Sequence, residues 1–597
     1  MGSLAASRAR TAPDHDAVQR ALLAAPHRGK DAQILTSGRC VLGVATGGDA
    51  TDAWVVSEPG LAVAVAGMLD DVEALAERLT GLGHPPADPS DPASVVVAAW
   101  RAWGEDAPAH LRGNHAVALT DGEGLWAFRD QIGYRALFYR DDETGTVVAS
   151  EAKQVASGAQ ISLEPDMEVL EHIFFSDYDD DTPAAIRGVR RLPKASMMRA
   201  DEHGTRWRKY WHPERLLETR RYEDDDLAER FDALMTQAVT RGFRGPDVVA
   251  LSGGIDSPAI AAYGARPHLV RYDAPLGALT ASYPDQPSVD ETDYVRLVAG
   301  RLDMPLHLFT RHASTMEGLQ EWTRLFDGLV PVFLAPDAEM TMRAAREHGY
   351  RVMHGGFAAE LVMDMRHSLI AYLLVTGRIG AARDHARLQL DKGTRPSAVA
   401  RQILSVLVPR VVYATAKRWA PPRRGSRVPA WVDIGRVNAR AVRTSVAPRA
   451  RWRQAQLGGF RGPGLSTEAI EVVGELCGVA SRRSWADVDL WEFFLSLPAD
   501  QKFPDATTKG LVRRLLRDRV PDEILDRRDK TVFNESIQAR IDYAELERWL
   551  GGGRRLIGGI DYDLLRRRLD ARDLGVFEHI WARDLASVHA FVGLWDG

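Results

Sequence analysis

Residues 248–262 read VVALSGGIDSPAIAA. The first four residues, VVAL, are a short apolar run, and AIAA at the far end has helical character. The spacing predicts a buried strand closed by Leu251, a turn of small residues and a helix start. Such a turn presents free backbone N–H groups at the positive end of a helix, a ready site for phosphate oxygens. Gly253 and Gly254 let the backbone approach closely, and Ser252 and Ser257 add hydroxyl donors. Pro258 suits an early helical position, where its missing N–H costs nothing. Asp256 is the unexpected residue, because a carboxylate repels phosphate unless Mg²⁺ lies between them. Neither the GxxxxGK[ST] lysine nor a GxGxxG fingerprint is present. The bland alternative is a serine- and glycine-rich turn that caps a core helix.

The surrounding sequence tells how this turn is housed. From about 226 onward, helical and strand-like segments alternate. Leu227–Val239 is expected to be helical, and VVAL, LTASY, PLHLF and YRVMH are expected strands with helices between them. That alternation predicts a parallel sheet with helices on both faces. Beyond about 365 the chain reads as almost entirely helical. Residues 1 to about 205 differ, with short β-like runs (VLGVA, LAVAVAGML, HAVAL, LWAFR, TVVAS) and helices at 71–79 and 92–103. This predicts an α+β domain with antiparallel sheets. The expected organisation is 1–213, a charged connector ERLLETRRYEDD at 214–225, and 226–597.

The 597 residues carry a net charge of -6, 45% hydrophobic and 26% charged residues, all ordinary for a globular protein. Neither the net charge nor a motif points to nucleic acid. Cys40 and Cys477 are the two cysteines, too few for a disulfide framework; Cys40 reads as a core residue of the strand CVLGVA. The start, MGSLAASRARTAPDHD, lacks the apolar core of a signal peptide, and no uncharged run approaches the ~18 residues of a membrane span. No membrane partner and a cytoplasmic location are expected.

LSGGIDS resembles the pyrophosphate loop of ATP pyrophosphatases, and most of the chain resembles the asparagine synthetase family. In the first domain HRGKD (27–31), FRDQIGYRALFY (128–139), SEAK (150–153), GVRRLP (188–193) and KYWHP (209–213) are similar to family segments. In the second, the similar segments are DETDYVRLVAGRL (290–302), WEFFLSLP (491–498), TKGLVRRLL (508–516) and RRDKTVF (527–533). The order and spacing of these matches give them their specificity. The resemblance implies a glutaminase-like α+β sandwich followed by an α/β parallel-sheet ATP pyrophosphatase domain with a helical C-terminal part. It further implies ATP and Mg²⁺, with ATP contacts from Leu251, Ser252, Gly253, Gly254, Asp256, Ser257, Gly355, Gly356 and Lys509. Metal ligation falls to Asp256 and Glu360. Catalytic roles fall to Lys530, Glu360 and Glu291, with Arg513 a weaker phosphate candidate; Asp290 and Glu291 equally suit helix capping.

The departures narrow the function. Glutamine-dependent members carry a cysteine nucleophile at position 2, where this chain has Gly2, and their Asn-Gly oxyanion pair falls on Ala66-Gly67. Acyl transfer from glutamine then has neither nucleophile nor side-chain donor. HGGFAAEL (354–361) replaces the family's GxGxDE, leaving Ala359 where an aspartate helps hold the metal; Asp364 lies one helical turn beyond Glu360. β-Lactam synthetases carry a tyrosine where this chain has Gly356. The stretch Arg378–Arg461 holds 19 Lys/Arg against 3 Asp/Glu, with Trp419, Trp431 and Trp452 between them. It resembles a basic insertion of lasso peptide cyclases. The expected activity is therefore adenylation of an Asp or Glu side chain of a precursor peptide, then attack by its N-terminal amine to give a macrolactam. A leader-peptide protease and a leader-recognition protein are the further partners implied. The alternatives are a β-lactam synthetase-like enzyme, an ammonia-dependent asparagine synthetase and a catalytically inactive peptide- or partner-binding protein.

Overall fold

The computed structural model describes residues 2–47, 52–175, 184–330, 335–359, 369–391, 393–408, 412, 428–437, 452, 456–457, 464–504, 509–527, 531 and 533–595. The described residues of the first part form twelve strands. They are β1 (Ser3–Ala9), β2 (Asp31–Ser37), β3 (Cys40–Thr46), β4 (Ala53–Glu58), β5 (Leu61–Leu69), β6 (Gly113–Thr120), β7 (Leu125–Arg129), β8 (Phe138–Asp141), β9 (Gly145–Ala149), β10 (Arg190–Arg191), β11 (Ser196–Asp201) and β12 (Gly204–Lys209). Two antiparallel six-stranded sheets result, ordered β10-β8-β9-β1-β3-β2 and β12-β11-β7-β6-β5-β4. Alternate residues Leu4, Ala6, Leu42, Val44, Ala64, Ala66, Ala116 and Ala118 share one core cluster from both sheets. Val63, Val65, Val117 and Leu119, of opposite parity, pack instead with the helix Pro92–Trp103. Cys40 is fully buried in the inter-sheet cluster, and burial pushes its thiol up to about 11.

The second part is built on five parallel strands: β13 (Asp247–Ala250), β14 (Gly277–Ser282), β15 (Leu306–Thr310), β16 (Val352–Gly355) and β17 (Ala480–Arg482). Their order is β15-β14-β13-β16-β17. Winding runs one way through β13, β14 and β15 and the other way through β16 and β17, so the direction reverses between β13 and β16. That switch point leaves a crevice at the carboxyl ends of the strands. Helices cover both faces: Val248, Leu279 and Met353 belong to one core cluster, and their neighbours Val249 and Ala278 to the other.

The expectation of an almost entirely helical region beyond 365 needs one correction. Ala480–Arg482 forms β17, with Val352, Met353 and His354 paired to Ala480, Ser481 and Arg482. Three residues reading ASR carry no period-2 signal; pairing with β16 creates the strand. The other part of that expectation agrees with the helices Ile379–Asp391, Pro396–Leu407, Gly464–Cys477 and Val576–Gly593. Much of Arg378–Arg461, Trp419 among it, lies outside the described residues, while Trp431 and Trp452 are buried. No helix of the described residues is long and apolar enough to cross a membrane.

Candidate active site

β13 delivers the loop 251–257 to the switch point. Leu251 is still part of the sheet, its N–H donating to the Leu279 carbonyl at 2.9 Å. The chain then turns, and the two hydroxyls hold the turn closed. Ser252 N–H donates to Ser257 Oγ at 2.9 Å, and the two hydroxyl oxygens lie 3.1 Å apart. Gly254 is exposed, and a Cβ there would meet only Ser252 Oγ, at 3.6 Å. Gly253 is the opposite case, since a Cβ would overlap the Arg527 guanidinium. The helix Asp256–Tyr272 begins here, and Trp485 Nε1 donates to the Asp256 carbonyl at 2.8 Å.

β16 brings the second loop alongside. A Cβ on Gly356 would stand 2.9 Å from Ser257 N and 3.0 Å from Asp256 Cβ, so the two loops touch because this residue has no side chain. Gly355 has open space around it. Ala359 is fully buried in the apolar cluster that also holds Trp485 and Ile255. A carboxylate at that position would be pressed into apolar surroundings, a costly placement for a charge. Glu360 and Asp364, both raised by the sequence, lie outside the described residues, as does Lys530.

Charged side chains ring the loop. Lys509 Nζ donates to Asp256 Oδ1 at 2.6 Å, from a left-handed backbone conformation (φ 59°) ahead of the helix Gly510–Leu515. Asp256 therefore already faces a cation. Among the described residues no cluster of three or more His, Cys, Asp or Glu could hold a metal ion. One carboxylate, exposed enough to exchange partners, fits Mg²⁺, which commonly uses one or two carboxylates with phosphate oxygens and water. The Arg513 guanidinium donates to the Leu525 carbonyl and so links two helices.

Glu291 is nine-tenths buried at the start of the helix Thr292–Arg301. Its Oε2 accepts the Gly253 N–H at 2.9 Å, and its Oε1 accepts from Arg527 Nη1 at 2.9 Å. Arg527 Nη1 also donates to the Gly253 carbonyl at 2.9 Å, while Nη2 bonds Thr531 and the guanidinium lies 4.3 Å over the Tyr294 ring. Arg527 thus joins the pyrophosphate-type loop to the segment that carries Lys530. In the sequence it is one of several basic residues in RRDK, and nothing local distinguishes it. Asp290 takes the capping role: its carboxylate accepts the N–H of Thr292 at 2.7 Å and of Tyr283 at 2.7 Å. Burial pushes the Asp290 carboxyl up, but the Thr292 and Tyr283 donors leave it net below its usual value.

A sequence model of the asparagine synthase family matches residues 230–588. The chain belongs to the asparagine synthase family. A glutamine amidotransferase domain matches residues 1–211. A relative from Mycobacterium tuberculosis, described as a putative glutamine-hydrolysing asparagine synthetase, is 26% identical over 544 residues, covering 81% of this chain and 77% of its own. Asparagine synthetase 3 of Bacillus subtilis is 29% identical over 225 residues, 37% of this chain and 36% of its own. Among solved structures, a B. subtilis glutamine phosphoribosylpyrophosphate amidotransferase aligns at 12% identity with a TM-score of 0.27, over 60% of this chain and 81% of that one.

In this asparagine synthase family member the amidotransferase-type domain is tied to the synthase-type domain by buried charge. The helix Gly464–Cys477 presents Glu468, Glu471 and Glu475 at i, i+3 and i+7, one face of a helix. Glu468 accepts from Arg129 at 2.8 Å and also pairs with Arg191; Glu475 pairs with both Arg28 and Arg135. Burial pushes the Glu471 carboxyl up to about 7 against the pull of Arg135 and Arg483. Arg28 belongs to HRGKD, Arg135 to FRDQIGYRALFY, and Glu151 and Lys153 to SEAK. Glu151 accepts from His27 at 2.7 Å, and Lys153 reaches Asp327 at 3.3 Å. These first-domain motifs therefore serve docking.

Position 2 offers no room for a side chain. A Cβ on Gly2 would overlap Ala53 Cβ and stand 2.7 Å from the Ala45 carbonyl oxygen. Ala66 is buried between the sheets, and the Gly67 N–H is taken by the Asp52 carbonyl at 2.7 Å.

Proposed function

We propose that this ATP-dependent, amide-forming ligase joins two groups of one peptide, as a lasso peptide cyclase does, with no glutaminase step. The observation that carries the reading is the crowding at Gly2 together with the occupied Gly67 N–H. With no nucleophile and no free oxyanion donor, ammonia from glutamine is not made, and on this reading the attacking amine is already on the substrate. Gly356 adds discrimination. The contact with Ser257 leaves no space for the tyrosine of β-lactam synthetases, so the peptide alternative is favoured over a small β-lactam precursor.

The chemistry follows from the loop. A side-chain carboxylate of the peptide attacks the α-phosphorus of ATP, and pyrophosphate departs toward residues 252–257, whose N–H groups and hydroxyls donate to its oxygens. For that, Gly253 N–H must exchange Glu291 for a phosphate oxygen, and Lys509 must swing from Asp256 to the polyphosphate. Asp256, and Glu360 by resemblance, would hold Mg²⁺, which neutralises phosphate charge when bound. The peptide's N-terminal amine then attacks the acyl-adenylate and AMP leaves. Lys530 is assigned to the developing charge, with Arg527 fixing the start of its segment. Holding both ends of one peptide in a single crevice makes the second step unimolecular. The precursor peptide, a leader-peptide protease and a leader-recognition protein are the proposed partners, and the cytoplasm the proposed location.

The test is mass spectrometry of a precursor peptide after incubation with ATP and Mg²⁺. The expected result is loss of one water with AMP and pyrophosphate formed in step, and no glutamate released from added glutamine. A second reading, asparagine synthesis from aspartate and free ammonia, draws on the names of the relatives. Asparagine formed from aspartate and ammonium, with no dehydrated peptide, would replace the first reading with the second.

A further inference from the structure

A cleft of about 1410 Å³ opens between the two domains at the amino-terminal ends of the parallel strands, the edge opposite the loop 251–257. Its synthase-side wall carries Arg241, Arg244, Arg271, Arg346 and Arg351, from four separate chain segments. Two of these are neutralised within the fold. Arg241 pairs with Asp71 at 2.8 Å and Asp487 at 2.6 Å, and Arg244 reaches Asp70 at 3.5 Å. Arg271 and Arg346 are different: no carboxylate of the described residues lies within ion-pair distance of either. The same holds for Lys30 on the facing wall, whose charge is opposed there by the exposed carboxylates Asp31 and Glu73.

Arg271 and Arg346 sit in the last turns of their helices, where a cation also offsets the helix dipole. That role explains each residue singly but does not require both to line one cleft, as these arginines do. Trp54 and Tyr272 add half-buried aromatic surface inside the cleft, with the Arg271 guanidinium 5.3 Å over the Tyr272 ring. The volume exceeds the roughly 300–1,000 Å³ of sites for small molecules. Guanidinium groups pair carboxylates with two parallel hydrogen bonds, and a series of them along a wall suits a series of carboxylates.

We propose that this interdomain cleft is a second, non-catalytic site that binds an acidic peptide segment, with its carboxylates on Arg271 and Arg346. The site is independent of the chemistry proposed for the loop, since β13 and β16 separate the two along their full length. A chain that has lost the residues for glutamine chemistry still keeps the two domains locked together by buried ion pairs, and the cleft between them stays open to a new occupant.

The test uses the full-length protein and a fluorescent peptide of alternating glutamate and glycine, with a glutamine–glycine peptide as control. The acidic peptide should bind and the control should not. Arg271→Ser with Arg346→Ser should weaken binding by at least about tenfold and flatten its salt dependence. Changing Arg423, Arg424 and Arg427 to serine should leave binding unchanged, and MgATP should not compete. Equal affinity of the Arg271→Ser/Arg346→Ser protein, loss in the variant at 423, 424 and 427 alone, displacement by MgATP, or no binding of the acidic peptide would each overturn the proposal. Unchanged thermal melting of the variants excludes misfolding as the cause of any loss.

Discussion

Two charge clusters in this protein use the same residue types to opposite ends. At the domain interface, Arg28, Arg135 and Glu475 are each buried, and the carboxylate answers both guanidinium groups. At the loop 251–257, Lys509 and Asp256 pair with each other and both side chains are partly exposed. A buried charge that loses its partner has no water to turn to, so the first cluster is committed to holding the domains together. A half-exposed pair can trade partners with a ligand at little cost, so the second is free for chemistry. Burial, not residue type, separates a committed ion pair from one open to exchange here.

The comparison breaks first at Asp256. Asp256→Ala should abolish ATP-dependent pyrophosphate release, a loss of at least about 10³-fold if both metal and lysine positioning depend on it. Its melting temperature should stay close to that of the parent chain. Normal turnover, or a collapse of the fold, would place this carboxylate with the structural cluster.

Arg135→Met should do the reverse. It removes one of the two guanidinium partners of Glu475 and the guanidinium facing Asp52, and breaking a buried pair costs about 3–5 kcal/mol. Urea unfolding reads that loss, and a change within about 0.5 kcal/mol would show that the interface does not depend on this pairing.

Glu471 sharpens the same contrast through pH. Its carboxyl is raised from 4.5 to about 7 by burial. Below 4.5 both folded and unfolded chains hold the proton; between 4.5 and 7 the folded chain alone holds it, so stability falls as pH rises through that window. Glu471→Gln should remove that slope and raise stability above pH 7 by up to ~3 kcal/mol. A parallel pH profile for the two proteins would count against a buried protonated carboxyl.

Arg527→Met should have the smallest effect. Its bonds to Gly253 and Glu291 organise the loop without touching the reacting atoms, so KM for ATP should rise by roughly tenfold, one charged hydrogen bond's worth. A fall in kcat with KM unchanged would instead make the Lys530 segment its main concern.

Much of the fold was legible because local patterns agree with it. Ala64, Ala66, Ala116 and Ala118 alternate as the inter-sheet core requires, and VVALSGGIDSP carries strand, turn and helix start in order. β17 was not legible, because ASR becomes a strand only by pairing with β16. The loop residues were legible through their types and spacing, and the structure brings Ser252, Gly253, Asp256, Ser257, Gly356, Glu291 and Lys509 to one crevice. Sequence could not choose between capping and catalysis for Asp290 and Glu291. The structure gives them different partners, the Thr292 N–H to Asp290 and the Gly253 N–H to Glu291.

By itself, then, the sequence determined the local elements, the two-part organisation and the composition of the loop, since these depend on near neighbours along the chain. Tertiary structure alone decided which charges meet. Arg135 and Glu475 are 340 residues apart and Arg527 and Gly253 are 274 apart, and no periodicity can encode contacts over such spans. It also decided that Gly2 and Gly356 have no room for a side chain, because that space is filled by Ala53, at the start of β4 in the facing sheet, and by Ser257, in the first turn of the helix that follows β13.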